Sequence, residues 1–148
     1  MAAGDYIKFY TSLDALKIGQ FNNLGTDVLK FALTNTAPTQ ATDAGFLPGS
    51  LHPPPAAGNG YTAGGHAATI ASWSRSGATW TLASTTDVVI TATAGGIGPF
   101  RYVLLYDDTL TAPVADQLIS YYDYESSITL ASGETFTIDV TASLFTLS

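Results

Sequence analysis

The sequence predicts a mainly β protein: an antiparallel β-sandwich or jelly roll of about eight strands, with a short N-terminal helix or arm. Three observations predict it. Apolar and polar residues alternate in short runs, as in Glu134-Thr135-Phe136-Thr137-Ile138-Asp139-Val140. Turn signals such as Ser76-Gly77, Gly95-Gly96 and Ser132-Gly133 separate these runs at short intervals. Thr, Val, Ile and Tyr, which suit a pleated and half-buried surface, fill them. Connections this short imply antiparallel pairing.

Residues 6–18 place Tyr6, Phe9, Leu13 and Leu16 three or four apart, with Lys8, Ser12, Asp14 and Lys17 mostly opposite. That spacing predicts an amphipathic helix capped by Asp5 and stopped by Gly19. Ile7 and Tyr10 widen its apolar side, so a short strand over 6–10 competes. The arm or helix is assigned to residues 1–25 and the sandwich to 26–148. Residues 28–34 read as a strand ended before Pro38, which has no N–H for a ladder. From 36 to 65 the chain is rich in Pro, Gly, Ala and Asn and has no periodicity. A loop that long is usually functional or partly mobile, and it reads as a plain surface loop or as a segment that reaches onto a neighbouring subunit. Strands are expected over 66–74, 78–83, 87–94, 99–107, 117–124 and 134–140, with a last edge strand over 143–147. In residues 99–107, Phe100, Tyr102, Leu104 and Tyr106 are expected on one face and Val103 and Leu105 on the other. A strand apolar on both faces is central or covered twice.

Composition narrows the function. Five Lys and Arg and twelve Asp and Glu make the chain 11% charged, against roughly 25% in ordinary soluble domains. So little charge does little to keep copies apart, and it suits a building block covered by neighbours. Residues 1–65 hold three Lys against four Asp, and residues 66–148 hold two Arg against eight acids. No basic patch exists, so neither nucleic acid nor an anionic membrane surface is expected as a partner. There is no cysteine, which removes disulfides, thiolate zinc sites and cysteine nucleophiles. The N-terminus has no basic and apolar signal-peptide regions, and no apolar run nears the roughly 20 residues of a membrane span. Synthesis in a cytoplasm is the expectation.

No residues form a recognisable catalytic set, so no enzyme activity, cofactor or metal is expected. His52 and His66 lack partners at metal-ligand spacing. Asp107-Asp108, with Asp116, reads as a turn first and a calcium site second. The cluster Gly58-Asn59-Gly60-Tyr61-Thr62-Ala63-Gly64-Gly65 lacks the Lys-Ser/Thr ending of a phosphate loop and reads as a turn where backbones pass closely. Tyr102, Tyr106, Tyr121, Tyr122 and Tyr124, with Trp73 and Trp80, suit a core or subunit interface, or alternatively a sugar-stacking surface.

Four phrases carry a resemblance: residues 24–38 (LGTDVLKFALTNTAP), 58–65 (GNGYTAGG), 98–109 (GPFRYVLLYDDT) and 132–138 (SGETFTI). Over residues 6–140 the chain resembles small virion structural proteins of tailed bacteriophages, the capsid decoration or cement proteins. The resemblance implies a homo-oligomer, trimer or dimer, on the outer surface of the head. There it would join neighbouring subunits of the major capsid protein. A tail or fibre component with a glycan- or receptor-binding sandwich is the alternative. The N-terminal stretch and the 36–65 loop lie outside the strand pattern and in the near-neutral half. Tyr6, Phe9, Leu13, Leu16, Phe46, Leu47, Leu51, His52 and Tyr61 are therefore the candidate capsid or subunit contacts.

Overall fold

A computed structural model describes residues 6–140 and 143–148. In chain order they form β1 (Ile7–Lys8), α1 (Tyr10–Lys17), β2 (Leu29–Thr34), β3 (His66–Ala67), β4 (Thr69–Ser76) and β5 (Thr79–Thr86). Then follow β6 (Val88–Thr91), β7 (Ile97–Asp107), β8 (Gln117–Leu130), β9 (Thr135–Ile138) and β10 (Phe145–Leu147). Three antiparallel sheets result, ordered β1-β8-β7-β2-β3, β10-β5-β4 and β6-β9. The fold is mainly β with one short helix, as the sequence predicts. Its division into five, three and two strands differs from the eight-strand double sheet of a jelly roll.

The central pair β7 and β8 explains the layering. Val103 and Leu105 of β7, Ile119 of β8 and Leu29, Phe31 and Leu33 of β2 point into a core shared with Leu82, Ile90, Phe136, Ile138 and Phe145 of the smaller sheets. This is sandwich packing. Leu104, Tyr106, Leu118 and Ala32 point the other way, into a second cluster with Phe9 and Phe46. Both faces of the large sheet are thus buried, which is why 99–107 carries almost no polar residues.

One expected face is corrected. Phe100 joins Val103 and Leu105 in the first core rather than Leu104 and Tyr106. The ladder jumps from Tyr102↔Asp123 to Phe100↔Ile128, with extra β8 residues between, and the alternation of β7 breaks at the same irregularity. Glu125 sits there at φ 64°. Its N–H donates to Asp123 Oδ1 at 2.7 Å. Arg101 grips the same carboxylate through Nε at 2.7 Å and Nη2 at 2.9 Å. Burial being slight, this bidentate pair is what holds the Asp123 carboxyl below its ordinary range. β8 runs on through the bulge to Leu130, past the expected end at 124.

The N-terminal segment is corrected too. Residues 6–18 divide into a strand and a shorter helix. Ile7 pairs with Tyr121 and Lys8 with Ser120, because the outer edge of β8 accepts a β-branched residue there. The helix begins after Phe9, and the expected Asp5 cap lies outside the described residues. Ser12 Oγ donates to the Phe9 carbonyl at 2.6 Å. The later start changes the buried stripe to Phe9, Ser12 and Ala15, leaving Leu13 outside. Small residues let the helix lie close to β8.

The 36–65 segment folds back along the large sheet. Leu118 N–H donates to the Ala44 carbonyl at 2.7 Å, and Phe46 N–H donates to the Asp116 carbonyl at 2.9 Å. Phe46 stacks on Tyr106 with ring centroids 4.6 Å apart. At the segment's end, Gly65 has φ 94°, and a Cβ there would overlap the Phe31 carbonyl oxygen. Only glycine combines that conformation with that approach. Gly65→Ala should therefore part β3 from β2 and lower the thermal midpoint by several degrees, whereas Gly49→Ala, in open space, should leave it unchanged; a melting curve of each variant decides.

Candidate interaction surface

The structure sorts the nine candidate contacts by burial. Phe9 and His52 are fully buried and Phe46 and Tyr61 nearly so. Their side chains belong to the interior, so their place on a contact surface is corrected. Phe9 and Phe46 cover the second apolar face of the large sheet, and Tyr61 belongs to the first core. Tyr61 instead accepts the Leu33 N–H on its hydroxyl at 3.1 Å, and burial raises its pKa. Tyr6 and Leu16 are half-buried against the first core. The Tyr6 hydroxyl accepts the Thr146 N–H at 2.8 Å, joining the start of the chain to β10. Leu13, Leu47 and Leu51 are exposed, at 39%, 47% and 48%.

These leucines stand on a braced cover. Asp43 Oδ2 accepts the Thr39 N–H at 2.7 Å and lies 3.0 Å from His52 Nε2. The Leu47 N–H donates to His52 Nδ1 at 3.2 Å. That acceptor role puts the ring proton on Nε2, aimed at Asp43. One buried imidazole thereby links both ends of the loop around Phe46. The helix is fastened to the same loop: Tyr10 N–H donates to the Gln40 carbonyl at 3.0 Å, Thr11 Oγ1 to the Asp43 carbonyl at 2.6 Å, and Gln40 Nε2 to the Lys8 carbonyl at 2.8 Å. The exposed Tyr10 and Leu13 of α1 and Leu47 and Leu51 of the loop are therefore carried by adjoining segments. Asp43 is the residue that sequence reasoning missed. Its only signal is an acid nine residues from a histidine in an otherwise nearly uncharged loop.

Removing the imidazole leaves the Asp43 carboxylate with only the Thr39 N–H and the Leu47 N–H without its partner, at a cost of about 3 kcal/mol. His52→Ala should lose roughly that in denaturant unfolding and become susceptible to proteolysis between residues 39 and 52. Full retention of stability would show that the pair does not hold the cover.

Among the described residues, no group of three or more His, Asp or Glu is arranged to hold a metal ion. Asp108 pairs with Lys30 at 2.7 Å. Asp107 is fully buried, and its Oδ1 accepts the Thr109 N–H at 2.9 Å, an Asx turn. Burial, with the neighbouring Asp27 carboxyl adding to it, pushes the Asp107 pKa up to about 7 from 3.8. The native chain thus keeps a proton that the unfolded chain releases. Stability should fall as pH rises between 3.8 and about 7 and level off above it. In Asp107→Asn that slope should flatten, and the variant should melt above the wild type at pH 8; parallel melting curves from pH 4 to 8 measure both.

Four of the five clustered tyrosines are interior groups, and Tyr121 is half-buried. Tyr102, Tyr106, Tyr122 and Tyr124 are buried, so they form no exposed sugar platform. Burial is the main cause that raises Tyr122 and Tyr124 to about 12. The Tyr106 hydroxyl donates to the Gly64 carbonyl at 2.5 Å. Trp73 and Trp80 stack on the β4–β5 hairpin with centroids 5.0 Å apart, and Trp80 is 36% exposed.

The fold and these surfaces define the chain as a mainly β, antiparallel domain with exposed apolar residues on its helix and cover loop. No protein-family model, no curated protein and no solved structure matches the chain.

Proposed function

We propose that this chain is a non-enzymatic structural component of a tailed-bacteriophage virion, a capsid decoration protein on the outer surface of the head. Its partners are the major capsid protein and further copies of itself. The observation that carries the reading is the set of exposed apolar residues Tyr10, Leu13, Leu47 and Leu51 on adjoining segments, in the half of the chain whose charges nearly cancel. Interface centres exclude charge and gather aromatic and apolar groups. The resemblance of residues 24–38, 58–65, 98–109 and 132–138 to phage virion proteins supports the same reading. Many copies, each adding a modest contact, would give a large total gain in head stability.

Purified protein should co-sediment with heads that lack it and raise their disruption temperature. Leu47→Asp with Leu51→Asp should reduce head binding at least tenfold while the melting curve of the free protein stays in place, because both side chains face solvent. Normal binding by the double variant would remove this surface from the proposal. A fibre or tail role is the second reading, and the exposed Trp80 beside Trp73 favours it, since stacked indoles suit a sugar face. Copy number in a virion gel separates the two: a decoration protein rivals the major capsid protein, and a fibre protein is scarce.

A further inference from the structure

We propose that the outer edge of β4 pairs antiparallel with the same edge of a second copy, about a two-fold axis at Ser74. The inference deepens the reading of the chain as a self-assembling component, by naming the surface through which two copies join.

β4 is an edge of its sheet, eight residues long. The other described edge strands have two to four residues. An edge strand turns a row of N–H and C=O groups outward, ready for another strand. Natural edges are usually blunted by Lys, Pro, a bulge or a cover. The register shifts of the β4–β5 ladder are confined to its start, between Thr69 and Ser72. From Ser72 to Ser76 the ladder is regular: Ser72↔Ala83, Trp73↔Leu82, Ser74↔Thr81, Arg75↔Trp80 and Ser76↔Thr79. This run contains no Pro, Lys or acid, and all of it but Trp73 is exposed.

Its sequence, Ser72-Trp73-Ser74-Arg75-Ser76, complements itself. Residues directly opposite in an antiparallel pair share a face. An axis at Ser74 sets Ser74 against its own copy and Ser72 against Ser76, a run of hydroxyls on one face. On the other face it sets Trp73 against the Arg75 of the second copy, twice by symmetry. Arg75 has a weak tie in its own chain, from Nη1 to the Gly77 carbonyl at 3.4 Å, and its cross-strand neighbour is Trp80. In the pair its guanidinium faces the Trp73 indole of the second copy, and Arg over Trp is a favourable contact. A shift of the axis to Arg75 would oppose two like charges, which selects against that register. The result is one continuous six-stranded sheet, β10-β5-β4 followed by β4-β5-β10 of the second copy. A second copy is the fitting occupant because a two-fold joint needs one surface that complements itself, and this segment is such a surface.

A five-residue joint buries less than a standard interface of about 1,200 Å² or more, so the pair should form in a concentration-dependent way. Sedimentation of the full chain tests it. Wild-type protein should shift to doubled mass with rising concentration. Ser74→Lys and Ser74→Glu should each stay monomeric, since each opposes like charges across the axis. Mixed in equal amounts, the two variants should regain doubled mass, a rescue that misfolding cannot produce. Wild type that stays monomeric at its solubility limit, or Ser74→Lys that dimerises like wild type, would overturn the pairing. Head co-sedimentation of both proteins keeps the two proposals apart: Ser74→Lys that binds heads without pairing leaves the head reading standing, and wild type that pairs without binding heads leaves the joint standing alone.

Discussion

The constraint on which the structure depends is that its largest sheet is apolar on both faces. β7 and β8 send Val103, Leu105 and Ile119 to one side and Leu104, Tyr106 and Leu118 to the other. Leaving either side wet would expose several large side chains, each worth about 1.5–3 kcal/mol when buried. The two smaller sheets cover the first side. The second is covered by Phe9 and the loop around Phe46.

That cover is irregular backbone against an apolar sheet, so its polar groups need partners. The solution is local and economical in charge. Asp43 and His52 satisfy one another and the N–H groups of Thr39 and Leu47, while Ala44 and Phe46 bond the end of β8. Charge is handled in the same way elsewhere. Lys30 and Asp108 pair, and Arg101 and Asp123 clamp the bulge. A chain with few charges thus uses several of them at defined structural positions. Its exposed surface is left to Ser, Thr, Ala and scattered apolar groups, a surface suited to contact with other chains.

Strand positions were legible because turn residues and alternation are local signals. Phe136, Ile138 and Val140 point inward, as their spacing requires. The ends of β8 and the face of Phe100 were not legible, because a bulge depends on how Arg101 and Asp123 meet across two strands. The helix start at Tyr10 depends likewise on an open edge of β8 that takes up Ile7. Among the candidate contacts, exposed Leu47 and Leu51 and buried Phe46 and His52 lie within seven residues of one another. Nothing in their spacing distinguishes them; the sheet face beneath does.

By itself the sequence determined the class of fold, the antiparallel pairing, the shortage of charge and its uneven distribution, since these follow from local conformational preference and composition. Tertiary structure alone decided which apolar residues are core and which are surface. It turned the 36–65 segment from an apparent loop into a cover, and it paired Asp43 with His52. It also left β4 as the longest edge strand among the described residues. Each of these depends on contacts between residues distant along the chain, formed once the two-faced sheet had to be covered on both sides.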